Sequence, residues 1–410
     1  MDQTSSNSQT LMARQPIFDR QLKVIAYELL YRSDNDNDSD FLEGDQASSQ
    51  MLLNFTSISD EGTTKRVPAF IKLTREMLLN QTLPTLLCKQ VVAELPGDIE
   101  IDKPLLLAVQ KLRQDGFKVS IDDFIFDPKY ALLLKLVNIV KIDVSKLDED
   151  EVKQQLDALS SYKVTLLAKR IDKLDHLYEC VDMGFKLFQG HFLSKPQVVK
   201  GKKNVSANSL ALMQVVQEVQ NPNTTADKLE HLIIKDSVLT FKLLRIVNSA
   251  AYALTRKIDS LNQAIVMLGL DQVKKWATLI AMSSNKDKPT ELSRALLVRA
   301  RMCELLAESK GYPDTSNFFL VGIMSEIDAL MDMRMDEVLK QIPLNEELKA
   351  AIGKRKGTQG EVLKAAFAYE RGEWDRLSEF DINDAVYEGA YRHSLSWAQE
   401  VMQSMSEDNA

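Results

Sequence analysis

The stretch FKVSIDDFIFDPKYALLLKLVNIVKID, residues 117–143, decides the fold class. It contains two β-rich runs, FKVSID and VNIVKID, and charged residues close each of them, at Asp122–Asp123 and at Lys141–Asp143. Related runs recur between residues 23 and 190: KVIAYELLYR, VPAFIKL, KQVVAEL, KVTLLAK and GFKLFQG. Amphipathic helical stretches lie between several of them, at Lys103–Gln114 and Glu149–Ser160. This alternation predicts a parallel α/β fold, and so many runs in a short span favour a closed barrel of the TIM type.

The composition and the hydrophobic periodicity of the chain change after Pro196. Residues 197–208 are polar and basic and indicate a linker. From Ser209 onward helical periodicity replaces the strand-like runs, as in Ala226–Ile234. We therefore predict a disordered arm at 1–10, a barrel at 11–196, a linker at 197–208 and an all-helical domain at 209–405.

Composition excludes several classes of protein. The 410 residues are 45% hydrophobic and 27% charged, which is ordinary for a globular protein. The net charge of −8 argues against a nucleic-acid partner. Three cysteines without a CxxC pair suggest a reducing compartment, and neither a signal peptide nor a membrane-spanning run is evident. We expect a cytoplasmic protein with no membrane insertion.

The ends of the runs carry a set of charged and amide side chains. Chemistry in α/β barrels lies at the carboxyl ends of the strands, so a cluster of such side chains there points to a site. The acids resemble the remains of a two-metal centre, whereas three lysines stand among them. The set comprises Glu28, Lys72, Glu94, Asp122, Asp123, Lys141, Lys169 and Gln189.

The first half resembles the EAL family, barrels that hydrolyse cyclic di-GMP. The segments that carry the resemblance are ARQPIF (13–18), YELLYR (27–32), VVAELP (91–96), Asp122–Phe124, Lys141–Asp143, Gln189–Gly190 and Lys195–Pro196. The resemblance implies that Glu28, Glu94, Asp122, Asp123 and Lys141 are the vestiges of the catalytic site. It also implies that Gln15, Arg32 and Gln189 are candidate nucleotide contacts.

Two substitutions in the family pattern bear on activity. Lys72 in FIKL replaces a metal-binding Asn, and Lys169 in AKRID replaces the first Glu of Ala-Glu-Gly-Val-Glu. The loop at 125–130 also lacks the glycines of the family. An ammonium repels a divalent ion but attracts carboxylates. We therefore expect the two lysines to form salt bridges with Glu28, Glu94 and Asp122, with no bound metal, no cofactor and no catalytic residue in use.

The second half resembles the HDOD domain, a relative of HD-type metal phosphohydrolases, most clearly at Asp236–Leu279. An HD site needs adjacent His-Asp ligands. Ser325–Glu326 stands at the corresponding place, and neither His231 nor His393 is followed by Asp. The resemblance therefore implies a helical domain without a metal site.

Three functions are compatible with these features. The leading hypothesis is a non-catalytic bacterial signalling protein whose HDOD domain binds signalling proteins, in cyclic di-GMP-linked behaviour such as motility or biofilm formation. The second is a cyclic di-GMP receptor without hydrolysis. The third is a weak phosphodiesterase that uses Lys141 with Mg²⁺ or Mn²⁺ held by the remaining acids. Related barrels often dimerise, so a homodimer stays open.

Overall fold

The computed structural model shows two compact units. The first comprises residues 1–193 with 370–374, and the second comprises 194–369 with 375–410. The structure describes residues 11–32, 67–195, 221, 223–234, 243–244, 246–248, 258, 260–283, 288–342 and 344–406. The arm predicted at 1–10 and the linker predicted at 197–208 lie outside these residues.

The first unit is a closed barrel in which the eight strands follow one another in chain order. The strands are β1 Leu11–Phe18, β2 Val24–Arg32, β3 Ala69–Lys72, β4 Val91–Leu95, β5 Lys118–Ile121, β6 Ile139–Asp143, β7 Thr165–Ile171 and β8 Leu187–Gly190. The prediction of an α/β barrel followed by a helical region is confirmed.

The first strand departs from the parallel arrangement that the sequence predicted. Strand β1 runs antiparallel to β2 and to β8, whereas the pairs from β2–β3 to β7–β8 are parallel. A tight turn at residues 19–23, closed by a hydrogen bond of 3.0 Å from the Asp19 N–H to the Lys23 carbonyl, joins β1 to β2. A connection this short permits only antiparallel pairing, because parallel strands need a long crossover. The run was overlooked because Arg14, Gln15 and Pro16 interrupt its apolar pattern.

Helices separate the parallel strands, as the barrel topology requires. They are α1 Arg75–Leu79, α2 Lys103–Gln114, α3 Ala131–Leu134, α4 Glu149–Leu159 and α5 Leu174–Asp182. Asp102 caps α2 by accepting a hydrogen bond of 2.9 Å from the Leu105 N–H. Asp148 and Glu151 form a capping box at the start of α4. The helices predicted at 103–114 and 149–160 thus agree closely with those observed.

The second unit is helical throughout its described residues. Its helices are α6 Ala226–Ile234, α7 Leu261–Leu268, α8 Leu270–Ser283, α9 Thr290–Ser309, α10 Ser316–Ile323, α11 Ile327–Met331, α12 Met335–Gln341, α13 Glu346–Lys354, α14 Gly357–Glu370 and α15 Asp384–Ser406. The long helix α9 packs against α10 and α15. Among the described residues, no helix combines the length and the apolar character that crossing a bilayer requires.

An apolar layer fills the barrel. It consists of Ile17, Ala26, Phe70, Val92, Ile139 and Leu167, all buried. These side chains come from six different strands, so the layer ties most of the barrel wall together.

We expect Leu167→Ala to lower the free energy of unfolding by about 2–5 kcal/mol, because it removes buried methyl groups and leaves a cavity in this layer. Urea unfolding followed by circular dichroism measures the change. Leu86→Ala is the matched control, since Leu86 is 89% exposed. Equal stabilities of the two variants would contradict the proposed core.

Candidate functional site

The polar side chains of the site lie directly above the apolar layer. Because successive strand residues point to opposite faces, a residue two positions beyond a layer member points into the barrel as well. The resulting pairs are Ala26–Glu28, Phe70–Lys72, Val92–Glu94, Ile139–Lys141 and Leu167–Lys169. The fold thus brings these side chains, taken from different strands, to the carboxyl end of the barrel.

Lys141 occupies the centre of the cluster and is fully buried. Its Nζ lies 2.7 Å from Glu28 Oε2 and 2.7 Å from Glu94 Oε1. The same nitrogen lies 3.6 Å from Asp122 Oδ1. One ammonium group therefore joins three carboxylates.

The two substituting lysines join the same carboxylates. Lys72 Nζ lies 3.4 Å from Asp122 Oδ2 and 3.8 Å from Glu28 Oε1. Lys169 Nζ lies 2.7 Å from Asp122 Oδ1 and 2.9 Å from Asp123 Oδ1. Glu94 pairs with Lys141. Around the buried acids, three ammonium groups thus face three carboxylates, with the half-exposed Asp123 at the edge.

The candidate nucleotide contacts have different surroundings. Gln189 is buried, and its Nε2 donates to Glu28 Oε2 at 2.6 Å and to Gln15 Oε1 at 3.0 Å. The two amides therefore belong to the same network as the acids. Arg32 ends β2, and its side chain lies outside the described residues.

The lysines determine the charge states of two of the acids. Burial works to raise the pKa of Asp122, but the ammonium groups of Lys141, Lys169 and Lys72 outweigh it and hold that pKa below its ordinary value. Burial likewise opposes ionisation of Glu28, and the attraction of Lys141 reverses the effect and lowers the pKa. In return, burial disfavours the charge of Lys141, yet Glu28, Glu94 and Asp122 raise its pKa well above the ordinary value.

Glu94 behaves differently from its neighbours. Complete burial raises the pKa of its carboxyl to about 8, and the attraction of Lys141 does not compensate. Its Oε2 is buried and accepts no hydrogen bond from the part of the chain that the structure describes. Glu94 is therefore the acid in this cluster that takes up a proton most readily.

The positions of the acids would also allow them to bind a metal ion. One oxygen from each of Glu28, Glu94 and Asp122 lies within 4.8 Å of the others. Carboxylate oxygens so arranged are the usual ligands of Mg²⁺ and Mn²⁺. The ammonium groups described above contact oxygens of the same three carboxylates.

Two residues that sequence reasoning missed hold the Asp122–Asp123 segment. A Cβ on Gly97 would lie 2.3 Å from the Asp122 carbonyl oxygen and 2.8 Å from that of Asp123, so only glycine permits this approach. Tyr130 donates from its hydroxyl to the Gly97 carbonyl at 2.6 Å and packs against Phe124. In the sequence, the glycine that follows β4, in ELPGD, could have indicated this close backbone contact.

The helical unit has a buried ion pair at the position where the resemblance placed a His-Asp pair. Ser325 and Glu326 are both buried. The guanidinium of Arg299 donates to Ser325 Oγ at 2.9 Å and lies 3.0 Å from Glu326 Oε2. His393 is exposed, and its Nε2 lies 3.4 Å from Arg301 Nη2; the side chain of His231 lies outside the described residues.

We expect Lys141→Met to destabilise the barrel by about 3–5 kcal/mol, because it leaves buried carboxylates without their central counter-charge. Urea unfolding at neutral pH measures the loss. Lys153→Met is the control, because Lys153 is half-exposed and pairs with its helix neighbour Glu149. A loss no larger than that of the control would contradict the central role of Lys141.

The raised pKa of Glu94 predicts a pH dependence of stability. Between the ordinary value of 4.5 and about 8, the folded chain holds a proton that the unfolded chain releases, so this group lowers stability as pH rises through that window. Glu94→Gln carries no such proton. The free energy of unfolding of the variant, relative to the original chain, should therefore rise from pH 5 to pH 8. Parallel pH profiles for the two chains would refute the assignment.

Comparisons with known proteins identify a domain in this chain and several similar proteins. Residues 208–363 match the HDOD domain model. The chain is 28% identical over 409 residues to YuxH, an uncharacterised protein of Bacillus subtilis, covering 95% of this chain and 98% of that protein. Among solved structures, the Bacillus subtilis protein YkuI, which has an EAL domain, aligns over 55% of this chain and 70% of its own, at 17% identity and a TM-score of 0.38.

The Vibrio cholerae protein CdgJ, a cyclic di-GMP phosphodiesterase, is 30% identical to this chain over 406 residues. The alignment covers 96% of this chain and 93% of CdgJ, so it spans both units. The chain therefore belongs to the family of cyclic di-GMP signalling proteins that includes CdgJ, and it contains an HDOD domain.

Proposed function

We propose that this chain is a non-catalytic signalling protein that acts through protein–protein interaction in cyclic di-GMP-linked behaviour such as motility or biofilm formation. The barrel, residues 11–196, serves as a sensor or docking platform, and the helical domain, residues 209–405, holds the partner. In the part of the chain that the structure describes, Cys88, Cys180 and Cys303 form no disulfide, which supports a place in the reducing cytoplasm.

The observation that carries this proposal is the pairing of Lys72 and Lys169 with the site carboxylates. A divalent ion 4 Å from an ammonium group is repelled by about 8 kcal/mol at an effective dielectric constant of 20. Lys72 and Lys141 share Glu28, and all three lysines approach Asp122. The site as arranged therefore does not fit a pair of divalent ions, and we assign no hydrolytic step to it.

The helical unit supports the same conclusion. Metal-dependent HD chemistry requires ligands that bind a cation, whereas here the Arg299 guanidinium lies against Glu326. Removing a fixed arginine from a buried acid is unfavourable, so this pair would not readily give way to a metal. Binding is the function that both units retain.

A second candidate is a cyclic di-GMP receptor without hydrolysis. It is favoured by the position of Lys72 and Lys169, whose side chains keep 16% and 10% of their surface exposed. Ammonium groups that reach the surface of a site can bind phosphate oxygens directly. Titration calorimetry with cyclic di-GMP, with and without Mg²⁺, separates the two candidates. Binding heat that does not depend on Mg²⁺ supports the receptor. The absence of binding heat supports the signalling protein that acts through protein–protein interaction alone.

We expect that the full chain does not hydrolyse cyclic di-GMP with Mg²⁺ or Mn²⁺, as measured by chromatography of the products.

We also expect that Lys72→Asn combined with Lys169→Glu raises the affinity for Mn²⁺, because the change removes two ammonium groups and restores oxygen ligands. Calorimetry with Mn²⁺ measures the affinity.

The matched control is Lys129→Asn combined with Lys153→Glu, which makes the same changes at exposed lysines. If the reverted and control variants bind Mn²⁺ equally, the account of the lysines is wrong. Turnover by the original chain that Lys141→Ala abolishes would instead establish a phosphodiesterase.

A further inference from the structure

A groove on the helical unit has an apolar floor and an acidic rim. It lies between the residues that follow α9, helix α14 and the segment that precedes α15, and its volume is about 410 Å³. Binding pockets typically have volumes of about 300–1,000 Å³. The apolar lining consists of Tyr312, Val362, Ala365, Phe380 and Ile382.

Contacts within the unit hold the walls of the groove. Tyr312 stacks on Phe318 with their ring centroids 5.0 Å apart. Lys310 Nζ donates to the carbonyl oxygens of Phe380 at 3.0 Å and of Asp381 at 3.4 Å, which fastens the segment before α15 to the end of α9. These contacts hold the walls in place before a partner binds. Binding therefore loses little conformational entropy at the walls.

The negative charge of the rim favours a positively charged partner. Three carboxylates line the groove, those of Glu361, Glu379 and Asp381, against the single ammonium of Lys310. That ammonium already contacts two backbone carbonyls. Glu361 pairs with Lys364 at 2.7 Å and Glu379 with Arg376 at 4.0 Å, and such surface pairs are weak.

We propose that this groove binds a short basic segment of another protein, with an apolar side chain on the floor and flanking Arg or Lys side chains at the rim. Apolar anchors supply affinity at such interfaces, and complementary charges supply orientation and selectivity. The inference rests on the proposed function, since it names the chemistry of the partner that the helical domain would hold.

The test uses the full chain and the labelled peptide Gly-Arg-Phe-Arg-Gly, with fluorescence anisotropy as the readout. We expect saturable binding that salt weakens, and no binding of Gly-Glu-Phe-Glu-Gly. Glu361→Gln combined with Glu379→Gln and Asp381→Asn should weaken binding about tenfold, because it removes the rim charge and keeps side-chain size. Thr358→Trp, a change at an exposed rim residue, should block the groove.

The matched control is Glu346→Gln, because Glu346 is 90% exposed and does not line the groove. An unchanged dissociation constant in the triple variant, equal binding of the acidic peptide, or no binding of the basic peptide overturns the inference. A dimer that Thr358→Trp dissociates also overturns it, since a second copy would then fill the groove. Turnover of cyclic di-GMP by the barrel would refute the proposed function and leave the peptide result unaffected.

Discussion

The burial of Lys141 among three carboxylates is the constraint on which the barrel site depends. Its ammonium group is fully buried and lies 2.7 Å from both Glu28 and Glu94. Glu28, Asp122 and Lys141 could not remain charged alone at this depth, because desolvation would shift each pKa until the charge was lost. Glu94 differs, since burial raises its pKa to about 8 despite the nearby ammonium group. Each partner therefore stabilises the other, and the remaining lysines complete the balance at Asp122.

The apolar layer beneath the cluster gives this arrangement its precision. Five of the site side chains follow a layer residue by two positions, so the packing of the layer also sets the position of the charges. Gly97 and Tyr130 add a second support, because they fix the backbone that carries Asp122 and Asp123. The apolar layer and the Gly97–Tyr130 contact thus hold both the side chains and the backbone of the site in place. Such a site is suited to bind a rigid ligand.

The two units provide the counter-charge for their buried acids in the same way. In the barrel, Lys72 and Lys169 face carboxylates, and in the helical unit Arg299 faces Glu326. In both places a fixed side-chain cation offsets the charge of a buried acid. Recognition of a partner is the use that we propose for the acidic groove beside α14.

The sequence by itself determined the architecture and the membership of the site. Strand and helix periods predicted the α/β barrel and the helical region, and the charged ends of the runs identified Glu28, Lys72, Glu94, Asp122, Lys141 and Lys169 as neighbours. This succeeded because strand periodicity is local and parallel strand ends converge. The tertiary structure alone decided which acid pairs with which lysine, that β1 is antiparallel, that burial raises the pKa of Glu94, and that Gly97 meets the Asp122 backbone. These features depend on distances between segments far apart in the chain, and side-chain periodicity contains no information about such distances.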